Sequence, residues 1–126
     1  MRSAAFQLRY LLSDVDIPRP TAEATVGYLD RGKAFSVEGE ADGKTASFTA
    51  EGKAELFAAE VSAIGEQDQF ALIDPTKGDS QVRFVRECGD VEKRPAFSLV
   101  ERRVVEQALR YFLESGRRAG HGGLPD

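Results

Sequence analysis

The chain has 126 residues, 41% of them hydrophobic and 30% charged, with a formal net charge of −4, no Trp, one Cys and one His. That length supports one domain and leaves too little apolar material for a second core, while the ordinary apolar fraction excludes wholesale disorder. No run approaches the ~20 apolar residues of a membrane-spanning helix, and Cys88 alone can form neither an intrachain disulfide nor a CxxC metal or redox site.

In chain order, MRSAAFQLRYLL meets a charge at Arg9 and lacks the apolar core of a secretory signal, so the expectation is a cytoplasmic protein. Phe6, Leu8, Tyr10 and Leu12 alternate as in a strand, yet a short helix fits too, and residues 3–13 stay open between the two. The Ile17-Pro18-Arg19-Pro20 segment is an extended break, because a proline bars the residue before it from helix. Thr21 is placed to cap a short helix over residues 22–29 ending near Gly32, although strand remains open for 22–30.

Asp42-Gly43 is the pair a two-residue type I′ turn requires, since both positions need positive φ. Folding residues 34–50 back around it sets Phe35 opposite Ala50 and Val37 opposite Phe48 on one face. Ser36, Glu38 and Glu40 then share the wet face with Thr45, Ser47 and Thr49. Over residues 54–64, Phe57, Val61 and Ile64 recur at i, i+4, i+7 and Gly65 follows, which with abundant Ala and Glu predicts a helix. The alternative is a strand turned back from the hairpin at Gly52-Lys53. Strands are expected at residues 70–74 and 81–88, separated by Pro75 and Gly78.

The clearest element is last. Ser98 stands three residues before Glu101, the capping-box spacing, and Val104, Val105, Ala108, Leu109 and Phe112 form one apolar stripe that stops at Gly116. The expected fold is therefore α+β. One domain over residues 1–118 packs an antiparallel sheet, made of the hairpin 34–50 and strands near 70–74 and 81–88, against helix 99–115 and a shorter helix near 54–64. A Gly-rich tail over 119–126 completes the chain.

Most chemistry fails on inspection. Gly27-Tyr28-Leu29-Asp30-Arg31-Gly32-Lys33-Ala34 nearly matches a phosphate loop, but Ala34 has no hydroxyl for magnesium and a strand follows where a helix is needed. Gly39 to Thr45 has the Lys-Thr ending and one residue too few, in a hairpin turn. Cys88 as a nucleophile wants a histidine base, and His121 sits in the tail. One histidine excludes a His-based metal cluster, and the acid spacing fits no EF-hand loop. The expectation is a chain that is not an enzyme and carries no metal and no cofactor.

Charge distribution is what remains. Residues 38–74 carry a net −7 and residues 77–118 a net +3. The basic half interleaves Arg102, Arg103 and Arg110 with Glu101, Glu106 and Glu114, which is no nucleic-acid stripe. An acidic segment can steer a basic protein partner, or it can be a solvated face that keeps the protein in solution. On the first reading the candidate partner-binding residues are Glu38, Glu40, Asp42, Glu60, Glu66 and Asp68. Neither nucleic acid nor membrane is expected as partner, and the oligomeric state is left open.

The stretch Phe97–Arg118, with Ala108, Leu109, Phe112, Leu113, Ser115, Gly116 and Arg118, resembles the closing helix of bacterial immunity proteins from polymorphic-toxin systems, in particular a group whose partners include deaminase toxins. After Arg118 that group tends to continue with Pro and a strand ending in Trp, where this chain has Ala119-Gly120-His121. The resemblance implies a small acidic α+β inhibitor that binds a cognate toxin and blocks its active site, with the acidic middle segment as candidate contact. The order of elements also looks like that of small acidic secretion chaperones, typically dimers that hold an extended segment of an effector.

Overall fold

The computed structural model describes residues 21–86 and 88–117, together with the backbone of 7–12 and 15–16. Asp42 and Gly43 both take positive φ, 53° and 75°, and join β3 (Phe35–Ala41) to β4 (Lys44–Lys53) in the register the alternation demands. Phe35 lies opposite Ala50 and Val37 opposite Phe48, and all four are buried. β1 (Gln7–Leu12), the strand alternative for that stretch, pairs with β3 and with the short β2 (Val15–Asp16). With β5 (Leu56–Ser62) and β6 (Phe70–Ala71) these make a six-stranded antiparallel sheet, ordered β2-β1-β3-β4-β5-β6.

The helix expected over residues 54–64 is instead β5. Ala54 and Glu55 take φ of 56° and 64° and form a second two-residue turn that sends the chain straight back along β4. A spacing of i, i+4 also places residues on one face of a strand, so Phe57 and Val61 bury on the same side with Ala59 between them. Gly52, at φ 136°, is where the backbones meet most tightly: a β-carbon there would collide with the Leu56 carbonyl oxygen.

Two helices cover one face of the sheet. Thr21 caps α1 (Ala22–Asp30) as expected, its hydroxyl oxygen accepting the Ala24 N–H at 3.2 Å. Val26 and Leu29 from α1 meet Val105, Leu109 and Phe112 from α2 (Arg102–Ser115) over Phe35, Val37, Phe48 and Val61. Phe48 stacks on Phe35 and tilts against Phe112, with ring centroids 6.0 and 5.7 Å apart. Arg102 joins the two helices, its guanidinium donating to both carboxylate oxygens of Asp30 at 2.8 and 3.0 Å and to Glu106 at 3.1 Å.

The start of α2 differs from the expected residue 99. The capping box does not form: the Ser98 hydroxyl donates to the Pro95 carbonyl, and Glu101 pairs with Arg103. Leu99 is extended and Val100 bridges to Phe57 by two backbone hydrogen bonds of 2.8 and 3.0 Å, which pulls the segment into the sheet before the helix can begin. The cap comes from far away. The Arg102 N–H donates to the Glu55 carboxylate at 3.2 Å, across 47 residues of chain. At the other end Gly116, left-handed at φ 71°, stops the helix, and its carbonyl accepts the Ile64 N–H at 2.9 Å. α2 is thus tied at both ends to residues that flank β5.

The strand expected at 70–74 shortens to β6, because Asp74 turns the chain by accepting both the N–H and the hydroxyl of Thr76. The one expected at 81–88 ends at Val85: β7 (Gln81–Val85) turns through an exposed Cys88 into β8 (Val91–Pro95). This separate two-stranded hairpin lies on the face of the main sheet opposite the helices, where Phe84 and Val82 pack with Ala58, Leu56 and Leu99. Residues 118–126, including the expected tail, lie outside the described residues, as do 1–6.

Candidate functional site

The β7–β8 hairpin covers only part of the sheet face it rests on. Arg86, just past β7, pairs with Glu51 of β4 at 3.2 Å and marks the covered end. The alternation of β3 places Glu38 and Glu40 on the same face toward the other end, opposite Ser47 and Thr45 of β4 in the ladder. Ser62 of β5 lies opposite Ser47 in turn. Between them runs an open groove of about 430 Å³, lined by Glu38, Glu40, Thr45, Ser47 and Ser62 and floored by Gly39 and Ala46.

The groove offers hydrogen-bond acceptors above all. Two carboxylates, each able to accept several hydrogen bonds, stand beside three hydroxyls, and guanidinium and ammonium groups match such a lining. Glu60 is exposed on the same face, two strands across and two residues along from Glu38, hence roughly 12 Å away by strand spacing. It borders a smaller cleft of about 250 Å³ beneath the hairpin, shared with Thr49, Glu51, Arg86 and Arg94. That cleft holds both signs of charge, and Arg94 is engaged there with Glu92 at 2.6 Å and over the Phe84 ring.

The other three acidic candidates stand elsewhere. Asp42 is exposed in the β3–β4 turn, at the tip of the acidic end. Glu66 is half-buried and closes the loop after β5: its carboxylate accepts the Ala63 N–H at 2.8 Å, and its carbonyl accepts the Ser62 hydroxyl. Asp68 is exposed on the same loop. The structure therefore brings Glu38, Glu40 and Glu60 onto one sheet face, leaves Asp42 at its rim, and takes the Glu66 carboxylate into a turn. Sequence reasoning missed the hydroxyls of Thr45, Ser47 and Ser62 as lining. For the first two the signal was present in the hairpin register, but Ser62 needed β5 to be read as a strand.

Two carboxylates outside this face are held below the usual carboxylate range. The Arg102 guanidinium hydrogen-bonded to Asp30 lowers its carboxyl, and the Thr76 hydroxyl and N–H lower that of Asp74. Both arrangements belong to the scaffold, one joining the helices and the other making a turn. Among the described residues, no three metal-ligating side chains converge, and no helix is long and apolar enough to cross a membrane. Comparison of the chain with protein-family models, with curated protein sequences and with solved structures finds no match.

Proposed function

We propose that this chain is a non-catalytic, protein-binding inhibitor of the immunity type, which meets a basic surface of a cognate toxin with the open half of its sheet. The observation that carries the reading is the convergence of Glu38, Glu40 and Glu60 on one exposed sheet face, beside a groove walled by hydroxyls. A sheet face supports such a role because its side chains project from a backbone fixed on both sides, so less is lost in ordering them on contact. Complementary charge raises the encounter rate and fixes register more than it adds raw affinity. The C-terminal resemblance to immunity proteins supplies the inhibitory part of the reading and names no contact residue.

The test is binding kinetics with the product of the adjacent gene, comparing the native chain with the triple variant Glu38→Lys, Glu40→Lys, Asp42→Lys. All three side chains are exposed, and Lys at the left-handed Asp42 position (φ 53°) costs only roughly 1 kcal/mol, so the domain should stay folded. Raising salt from about 0.01 to 1 M shortens the screening length from ~30 to ~3 Å. On this reading added salt and charge reversal both slow association, with a smaller effect on dissociation. On-rates indifferent to both would place any interface away from this face.

A further inference from the structure

The face that carries the groove is stepped, and its two levels carry opposite charge. β7 and β8 turn Val82 and Phe84 down onto the sheet, so the alternate residues, Arg83 and Val85 on one strand and Val91 and Lys93 on the other, face away. Arg83 and Lys93 are directly opposed in the ladder and both are exposed. Among the described residues neither pairs with a carboxylate. Like charges set directly opposite each other across two strands are destabilising, and no ion pair among the described residues offsets them. Beside them Val91 is 49% exposed, the most exposed of the large apolar side chains described.

The raised basic hairpin stands over Leu56 and Ala58, and the acidic floor of Glu38, Glu40 and Ser47 lies next to it, uncovered among the described residues. The step between the levels is about one sheet-packing distance, ~10 Å. We propose that a second copy of this chain docks on this stepped face in a twofold-symmetric pair, each hairpin seated on the other copy's acidic floor with Arg83 and Lys93 against Glu38 and Glu40. Shape and charge both select that occupant. A twofold axis makes the contact reciprocal, so raised meets recessed and cation meets carboxylate twice over. A flat basic partner would fill one level only. Carboxylates brought between Arg83 and Lys93 also relieve the repulsion that the isolated chain carries.

The bare floor is about three strands wide and four or five residues long, so two reciprocal patches bury roughly 1,000 Å² in all, the lower edge of specific interfaces. The pair is accordingly weak and reversible. This inference rests on the reading that the acidic face docks protein, and it adds a regulatory consequence: self-association covers the face that a partner must reach.

Sedimentation equilibrium of the full chain, alone, tests it. The native protein should dimerise at about 0.01 M salt and dissociate at about 1 M. The double variants Arg83→Glu, Lys93→Glu and Glu38→Lys, Glu40→Lys should each weaken the dimer more than about 100-fold, because like charge then meets like. An equimolar mixture of the two variants should recover a heterodimer, since acidic hairpin meets basic floor and basic hairpin meets acidic floor. That recovery also shows both variants to be folded. A native chain monomeric at every concentration, a dimer that survives either reversal, or variants that stay apart when mixed would each overturn the proposal. The toxin-binding reading is judged separately, on the adjacent gene's product: it fails if the chain does not bind that product, and on-rates that ignore salt and charge remove this face from it.

Discussion

The hydroxyl of Thr25 lies fully buried on α1, between Ala22, Val26 and Leu29 in the helix's inward stripe, and finds no hydrogen-bond partner among the described residues. Thr and Val have nearly the same shape, so Thr25→Val exchanges an unsatisfied polar atom for a methyl group without opening a cavity. Urea unfolding should show the variant more stable by about 1 kcal/mol, with an unchanged denaturant slope. Single residues also mark how far the candidate site was legible. Glu38 and Glu40 could be set on a wet face because Asp42-Gly43 fixed the hairpin register, and one slipped residue would have buried both. Glu66 looked the same in sequence, yet its carboxylate is spent on the Ala63 N–H three residues back. A backbone donor is invisible in a list of residue types, so no spacing argument separated the two kinds of acid.

Among the elements, those whose ends carry their own chemistry were legible: α1 from its Thr21 cap, β3 and β4 from their turn, and the end of α2 from Gly116. β5 was misread because its turn uses Ala54 and Glu55, residues that seldom take positive φ, and because alanine favours helix when nothing else decides. Sheet neighbours decided here, with the helices burying Ala59 and the β7–β8 hairpin burying Ala58. β8 carried no signal at all, since Glu-Lys-Arg reads as a loop until a partner strand holds it. The left-handed Ala54 costs roughly 1 kcal/mol that asparagine largely avoids. Ala54→Asn should therefore raise the thermal midpoint by a few degrees in calorimetry, leaving the Glu55 cap in place. A drop would mean that the alanine methyl makes a contact worth more than the backbone strain.

At the scale of the molecule, charge marks the stepped face and also adds one ion pair between two helices that the apolar core already packs together. The Arg102–Asp30 pair is largely at the surface, with Asp30 50% exposed, so solvent screening limits it to at most about 1 kcal/mol. Its pH dependence follows from the sign of the shift. Asp30 titrates lower in the folded chain than in the unfolded one, so its contribution is complete above the ordinary carboxylate pKa of about 4 and is lost as pH falls through the folded value. Asp30→Asn should be the less stable protein at neutral pH, and its gap to the native chain in chemical denaturation should close as pH drops below about 4. A gap constant down to pH 2 would show that the carboxylate's charge contributes nothing. The fastening of α2 has a different consequence. The first amides of a helix ordinarily exchange with solvent almost freely, because fraying opens them without disturbing the rest. Here the Arg102 N–H is held by Glu55 and the Gly116 carbonyl by Ile64, so neither end of the helix can peel away without pulling on a residue beside β5. Helix and strand should then open to deuterium as one cooperative unit. The Arg102 amide should exchange at a rate near that of Leu109 in mid-helix, and in Glu55→Ala it should become fast while Leu109 stays slow.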